Sequence, residues 1–208
     1  MEIQFYGANC ITIANKQVRL TIDDNMSDLG GKPVAKAGDV VIFTSVHGIT
    51  PQEAKITIGQ PGEYEVLGVF VYGISAQAHM DEKNVKNATM YKIVIDDIRF
   101  LVTGHIYPEL TDTQLEAIGI IDVMFVPVGG NGYTLDPIGA LKLIKKVEPK
   151  LVIPTHYDNP KLTFPVPQQP LESALKALSM EPKETLAKLK LQAANLPETT
   201  QLIVLDQD

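Results

Sequence analysis

The chain has 208 residues, of which 45% are hydrophobic, and it carries a formal net charge of −7 with a single cysteine. These values suit one domain over residues 1–208 and disfavour nucleic acid as a partner, because binding to phosphates needs a basic surface. Cys10, as the single cysteine, cannot form an internal disulfide. No apolar stretch approaches the roughly 18 residues of a membrane helix, and Met1-Glu2-Ile3-Gln4 lacks the features of a signal peptide. We therefore expect a cytoplasmic protein with no membrane partner.

The first half of the chain is rich in short apolar runs separated by turn residues, which predicts strands. A continuous apolar run from Val40 to Phe43 predicts a strand that is buried on both faces. Residues 23–38 are polar and Gly-rich and predict a loop, whereas Thr50 and Pro51 predict the start of a short helix over 51–54. The predicted strands of this half cover 3–6, 10–14, 18–22, 40–43, 56–58, 63–66, 69–74, 90–95 and 98–102.

The second half alternates helical and strand patterns, with helices predicted over 111–118, 137–147 and 171–178 and strands over 123–126, 151–153 and 201–205. Asp136 is the expected N-cap of the middle helix, with Pro137 at its first position. Ile138, Leu141, Ile144 and Val147 form its predicted buried stripe. Residues 187–191 fit either a helix or a strand. Strands first and helices interleaved later predict an α/β (α+β) fold in which helices cover mixed sheets.

The chain has four histidines, and each follows a predicted apolar strand: His47, His79, His105 and His156. Residues beyond strand ends often carry the chemistry of layered folds, because the backbone leaves the core there. Their spacing matches no local zinc motif, so they form one site only if the fold brings the strand ends together. For any single histidine, an ordinary hydrogen-bonded role is the commoner alternative.

Several segments together resemble the motif order of one enzyme superfamily. They are Tyr6-Gly7-Ala8-Asn9-Cys10, Gln60-Pro61-Gly62-Glu63-Tyr64-Glu65-Val66, Gly73-Ile74 before His79, Val126-Pro127-Val128-Gly129-Gly130, Ile153-Pro154-Thr155-His156-Tyr157 and Asn195-Leu196-Pro197-Glu198-Thr199-Thr200. The order is similar to that of the metallo-β-lactamase superfamily. It is most similar to the branch of small zinc-dependent hydrolases related to ascorbate-6-phosphate lactonases.

The resemblance implies a four-layer αββα sandwich with a metal site at one edge, but the metal motif of this chain is degenerate. Where the family has His-x-His-x-Asp-His, residues 45–50 retain only His47. His79 matches a later histidine of the family, His105 stands at the position of the bridging aspartate, and His156 matches the final histidine. Because a neutral imidazole offers one lone pair, His105 cannot bridge two cations, so we expect at most one zinc.

Two functions follow from this resemblance. The first is a zinc-dependent hydrolase of a small ester, lactone or phosphoester, with His47, His79 and His105 as metal ligands and His156 as the fourth ligand or a base. The second is a non-catalytic member of the fold that binds a ligand or partner in the former active-site crevice. Ile49 stands where the family has an aspartate that accepts a proton from water, so the resemblance leaves catalysis open. The oligomeric state is also left open.

Other polar residues have weaker functional interpretations. Glu63 and Glu65 fit either a solvated strand face or an acid/base pair. Residues 128–132 fit a tight turn or an anion-binding loop. Asp23, Asp24 and Tyr157 fit either partners that orient the histidines or ordinary loop hydrogen bonding.

Overall fold

The computed structural model describes residues 1–45, 54–83 and 85–207. Within this part of the chain, two mixed β-sheets share one hydrophobic core, to which apolar side chains of both sheets contribute. The sheets also meet directly at one edge, where the backbone N–H of Thr89 donates to the carbonyl oxygen of Thr44 over 2.8 Å. The predicted helix over 51–54 begins outside the described residues.

The first sheet has the strand order β13-β1-β2-β3-β4-β5. Strands β1 to β3 form the predicted antiparallel meander, and β4 and β5 then run parallel to β3. Val40 and its neighbours in β4 are fully buried, as expected for a continuous apolar run. The strands are β1 (Glu2–Gly7), β2 (Cys10–Ala14), β3 (Arg19–Ile22), β4 (Val40–Ile42), β5 (Ile56–Ile58) and β13 (Leu189–Lys190).

The second sheet has the order β12-β14-β11-β10-β9-β8-β7-β6. Its strands are β6 (Gly62–Val66), β7 (Val69–Ala76), β8 (Ala88–Ile95), β9 (Ile98–Val102), β10 (Val123–Pro127), β11 (Leu151–Thr155), β12 (Pro182–Leu186) and β14 (Gln201–Leu205). Strands β9, β10 and β11 are mutually parallel, and β7 points the same way as β9 because both are antiparallel to β8. The carboxyl ends of β7, β9 and β11 therefore lie at the same edge of the sheet.

The three described α-helices are α1 (Asp112–Ile118), α2 (Pro137–Val147) and α3 (Leu171–Leu178). The predicted cap of α2 is confirmed, since the carboxylate of Asp136 accepts a hydrogen bond from the backbone N–H of Gly139 over 2.6 Å. The predicted buried stripe is partly wrong, because Ile138 is 61% exposed and the buried positions include Ala140 and Leu143. A Cβ atom on Gly139 would lie 3.0 Å from Cβ of Pro108, so this side of the helix packs closely against the protein while Ile138 faces solvent.

The structure also contains elements that the sequence pattern did not indicate. Strand β12 is polar and largely exposed, and it pairs at the edge of the second sheet with β14. A 3₁₀ helix spans Met26–Leu29 inside the predicted loop, and another spans Ala193–Asn195. The ambiguous segment 187–191 contains strand β13, which pairs with β1.

Cys10 and the turn between β8 and β9 have environments that suit their residue types. Cys10 is fully buried, as expected for a small apolar residue. Asp96 and Asp97 both have positive φ at the tight hairpin between β8 and β9. No helix in the described part of the chain is long and apolar enough to cross a membrane.

Candidate functional site

Three of the four histidines lie at the shared carboxyl edge of β7, β9 and β11. His79 follows β7 and its backbone N–H donates to the carbonyl oxygen of His105 over 2.7 Å. His105 follows β9, and its ring centroid lies 4.5 Å from that of His156, with the ring planes at 84°. His156 directly follows β11, where its N–H donates to the carbonyl oxygen of Ala8 over 2.7 Å. The sequence hypothesis that these strand ends converge is consistent with this placement.

A small cavity of about 250 Å³ lies against His105 and His156. Tyr133 packs against both imidazoles, with ring centroids 5.2 Å from His105 and 5.9 Å from His156. Phe164 covers another side of His156 at 5.3 Å. The rest of the lining is mainly polar, and it includes Asn9, Asp23, Asn25, Asp28, Thr44 and Ser45.

The orientation and tautomer of His156 are fixed by Gln168. The amide Nε2 of Gln168 donates to the carbonyl oxygen of Val166, so its Oε1 is the atom that faces Nδ1 of His156 at 3.1 Å. Nδ1 must therefore carry the proton, and Nε2 keeps a free lone pair. This is how a metal-binding histidine is commonly held.

The contact between His156 and Gln168 depends on a glycine at position 129. A Cβ atom on Gly129 would overlap both Oε1 of Gln168 and the carbonyl oxygen of His156. Burial lowers the pKa of His156 to about 4, although the hydrogen bond with Gln168 acts in the opposite direction. The ring is therefore a neutral imidazole near pH 7, which is the form that can donate a lone pair to a metal.

His105 is held by a second hydrogen-bond chain that starts at Thr155. The hydroxyl of Thr155 donates to Oδ1 of Asn9 over 2.8 Å, which leaves the Asn9 amide Nδ2 to donate to Nε2 of His105 over 3.2 Å. The other ring nitrogen, Nδ1, is buried and has no hydrogen-bond partner among the described residues. Burial, with His156 and His79 nearby, lowers the pKa of His105 well below its usual value.

These histidines fit a metal in their donor chemistry but do not by themselves complete a metal site. Nδ1 of His79 is also buried without a hydrogen-bond partner in the described part of the chain, and a cation would satisfy this atom in the tautomer whose proton is on Nε2. Nδ1 of His105 carries the proton instead, because Nε2 of that ring accepts from Asn9. Within residues 1–45, 54–83 and 85–207, no three His, Cys, Asp or Glu side chains are grouped to hold a metal ion. His47, the fourth predicted ligand, and Ile49 lie outside the described residues.

Asp23 holds the backbone at the point where the chain leaves β4. Its two carboxylate oxygens accept from the N–H of Thr44 over 2.7 Å and from the Thr44 hydroxyl over 2.6 Å. Burial raises the pKa of Asp23 to about 6, although the hydrogen bonds from Thr44 oppose this change. Asp23 thus anchors the residues that lead into segment 46–53.

Close packing of Gly104 brings Thr44 next to the histidine edge. Gly104 has φ +60°, and a Cβ atom there would lie 2.5 Å from Cβ of Thr44. The glycine directly precedes His105, so the end of β9 and the end of β4 are fitted against each other. A side chain at position 104 would force these two strand ends apart.

The other predicted site residues have structural contacts. Asp24 accepts hydrogen bonds from the backbone N–H groups of Val34 and Ala35, and the Tyr157 hydroxyl donates to the carbonyl oxygen of Leu205 over 3.1 Å. Glu63 and Glu65 lie on the exposed part of β6. Residues 128–132 form the connection from β10 towards α2.

Sequence reasoning missed Gln168 and Tyr133 as contacts of the histidines. Gln168 lies in the Pro-rich segment after β11, where no local pattern distinguishes it from its neighbours. The pair Gly129-Gly130 was the available signal, because adjacent glycines at a strand end often permit a close approach of another segment. The two glycines do not indicate that Gln168 is the residue that approaches them.

Comparisons with known proteins agree with this architecture. A family model described as the beta-lactamase superfamily domain matches residues 2–156. A UPF0173 metal-dependent hydrolase of Pyrococcus horikoshii is 33% identical over 107 residues, which cover 49% of this chain and 47% of the relative. The chain thus spans about half the length of this curated relative.

Two solved structures resemble nearly the whole chain. A metallo-β-lactamase superfamily protein of Thermotoga maritima is 25% identical with a TM-score of 0.75, and the match covers 98% of this chain and 97% of that protein. Igni18, a metallo hydrolase of Ignicoccus hospitalis, shares the fold at 17% identity and a TM-score of 0.63, with 99% and 95% covered. With residues 2–156 matched by the family model, this chain belongs to the beta-lactamase superfamily and has the metallo-β-lactamase fold.

Proposed function

We propose that this protein is a metal-dependent hydrolase that uses at most one zinc ion and acts on a small ester, lactone or phosphoester. The observation that supports the proposal is the placement of His79, His105 and His156 after three strands that end at the same edge of the second sheet, with the rings of His105 and His156 in contact. The UPF0173 relative is described as a metal-dependent hydrolase, which supports the same assignment. His47 is proposed as the further ligand.

A bound zinc ion supplies positive charge that activates water and polarises the scissile group. The residues of the chain hold and shield that site. Gln168 keeps the Nε2 lone pair of His156 available, and Asn9 fixes the ring of His105. Tyr133 and Phe164 cover the imidazoles and limit the access of bulk water.

The pKa of about 4 favours His156 as a ligand rather than as the general base. A general base is most effective when its pKa lies near the working pH, and His156 is too weak a base for that role at pH 7. The cavity of about 250 Å³ suits a small substrate. Ser45 stands where the family motif begins with a histidine, which argues against a second metal.

A second function, binding of a ligand without turnover, is favoured by a specific observation. Nε2 of His105 and Nδ1 of His156 both have hydrogen-bond partners in the protein. Two of the candidate ligands are thus partly satisfied without a metal. On this alternative, the crevice binds a small molecule or partner through hydrogen bonds.

Metal analysis of purified, untagged protein separates these two functions. Metal-free protein is titrated with zinc against a chromophoric chelator, and hydrolysis is then measured on panels of lactones, esters and phosphodiesters. We expect a zinc ratio near one per chain and a loss of affinity of at least about tenfold in His79→Ala. Glu65→Gln, a change on the exposed part of β6, is the matched control.

Each result bears on one part of the proposal. Zinc binding that is equal in wild type and His79→Ala would contradict the assigned ligand set, and a reproducible ratio of two would contradict the single site. Zinc binding with no turnover on any panel would favour the non-catalytic alternative.

A further inference from the structure

A second cleft, of about 380 Å³, lies between residues 31–36 and residues 159–162. Lys32, Lys36 and Lys161 line it together with Arg19, and no acidic residue is part of its lining. The whole chain carries a net charge of −7. A cleft with only cationic charged groups is therefore a local exception on an acidic protein.

The three lysines are not neutralised by carboxylates in the described part of the chain. The ion pairs found there involve Arg19, Arg99, Lys150 and Lys188 as the cations. Lys32, Lys36 and Lys161 form none. Since unpaired ammonium groups in a concave site raise the local concentration of anions, the cleft favours a negatively charged ligand.

Two acidic residues, Asp24 and Asp39, bind the backbone of the loop instead of pairing with its lysines. Oδ2 of Asp24 accepts from the backbone N–H groups of Val34 over 2.8 Å and Ala35 over 2.7 Å. Oδ2 of Asp39 accepts from the N–H of Lys36 over 2.9 Å and pairs with Arg19. These hydrogen bonds fix the backbone of the loop from which the side chains of Lys32 and Lys36 extend.

The cleft also has an apolar wall, formed by Met26 and Leu162 beside Tyr6. Leu162 lies so close to Gly7 that a Cβ atom there would be 2.7 Å from Cδ1 of the leucine. Oδ1 of Asn159 accepts from the N–H of Lys161 over 2.9 Å, which fixes the turn that presents this lysine. Apolar and cationic surfaces therefore face the same space.

This cleft is distinct from the cavity at the histidines. The two share no lining residue. Met26 lines the cleft, whereas Leu29, at the other end of the same 3₁₀ helix, lines the cavity. The N–H of Thr163 donates to the carbonyl oxygen of Leu29 over 2.9 Å and joins the two segments that separate them.

We propose that this cleft binds a small organic anion, with its phosphate or carboxylate group among Lys32, Lys36 and Lys161 and its apolar portion against Met26 and Leu162. The two surfaces select different parts of the ligand, because the lysines attract its charge and the wall buries its hydrocarbon. The site is independent of metal binding and of hydrolysis.

The test uses full-length, metal-free protein and four probes: hexyl phosphate, hexanoate, inorganic phosphate and hexanol. Binding is followed by isothermal titration calorimetry and by amide chemical shifts in ¹H–¹⁵N NMR. We expect hexyl phosphate or hexanoate to bind more tightly than inorganic phosphate, and hexanol to bind least. The shifts should concentrate in residues 31–36 and 159–162, and affinity should fall on raising the salt from 50 to 500 mM because exposed charges are screened.

Variants identify the groups responsible. Each single Lys→Gln change at 32, 36 or 161 should weaken binding about two- to fivefold, and the triple change at least about tenfold. The triple variant Lys142→Gln, Lys145→Gln and Lys176→Gln removes the same charge from exposed positions on α2 and α3 and should leave affinity unchanged. Relative affinities for hexyl phosphate and hexanoate then show which headgroup fits.

Two results would overturn the proposal. One is that neither organic anion produces shifts at the cleft. The other is that the cleft triple variant and the control triple variant bind equally well. Circular dichroism of each variant confirms folding, which the exposed positions of Lys32, Lys36 and Lys161 should preserve.

Discussion

The stability of the variant Asp23→Asn, measured relative to wild type at the same pH, should be greater at neutral pH than at acidic pH. Burial raises the pKa of Asp23 from its ordinary 3.8 to about 6 in the folded protein. Because the folded-state pKa is the higher one, the folded protein holds the proton more tightly than the unfolded chain. The resulting stabilisation is complete below pH 3.8 and is lost as the pH rises through about 6.

The size of this effect follows from the two pKa values. At 1.36 kcal/mol for each pH unit between them, ionisation of Asp23 costs about 3 kcal/mol of stability at neutral pH. Between pH 4.5 and 7.5, wild type should lose about 2 kcal/mol on account of this group. Asparagine does not titrate, yet its amide can still accept from the N–H of Thr44 and donate to the Thr44 hydroxyl.

Urea unfolding of EDTA-treated wild type and Asp23→Asn at pH 4.5, 6.0 and 7.5 measures the difference. We expect the free energy of unfolding of the variant, relative to wild type, to be about 2 kcal/mol more favourable at pH 7.5 than at pH 4.5. A difference that stays constant within about 0.5 kcal/mol, or one that changes in the opposite direction, would refute the reasoning.

Asp122→Asn is the matched control, because its environment has the opposite effect. Burial alone would raise the pKa of Asp122, but hydrogen bonds and charge from Arg99 outweigh it and lower the pKa. The carboxylate accepts from Nε and Nη2 of Arg99 over 2.7 and 2.9 Å. Its stabilisation is present above the unfolded-state pKa, so this variant should lose most stability at neutral pH and less in acid.

Three further changes test other parts of the structure. Gly104→Ala should lower the free energy of unfolding by about 2–4 kcal/mol in the same urea assay, because the new Cβ overlaps Thr44 and the backbone has a positive φ. Gly68→Ala is the control, since its Cβ meets open space at φ +77°, and it should lower the free energy of unfolding by only about 1–2 kcal/mol. Gln168→Leu should weaken zinc binding about tenfold in a chelator competition. Gln168→Glu should weaken it less, because a carboxylate can also accept from Nδ1 of His156. Equal zinc affinities of wild type and both variants would exclude Gln168 as a positioning residue. Zinc occupancy should rise, as measured by elemental analysis, when the family ligands are reintroduced by Ser45→His, Ile49→Asp and Thr50→His.

Local sequence patterns were sufficient for most elements of the fold. Strands Ile98–Val102 and Gln201–Leu205 and helices Pro137–Val147 and Leu171–Leu178 have the predicted bounds. Their signals are carried by neighbouring residues, such as the Asp136 cap and Pro137 at the start of α2. Caps and turns formed by residues that are close in the chain can therefore be predicted from a single sequence.

Elements that depend on distant partners were not predictable in this way. Strand β12 has a polar, exposed sequence and exists because it pairs with β14 at the sheet edge. The buried face of α2 also differs from the apolar stripe, since close packing at Gly139 decides which side meets the protein. In both cases the neighbouring element decides the outcome.

For the candidate site, the amino-acid sequence predicted that imidazoles follow apolar strands and showed Ser45 where the resembled metal motif has a histidine. The contact between the rings of His105 and His156, and the hydrogen bonds that hold these rings through Asn9 and Gln168, became visible in the folded structure. Those contacts join residues that are far apart in the chain through the parallel register of the second sheet. Strand register and the close approach at Gly129 are properties of the folded core as a whole, and no local spacing of residues encodes them.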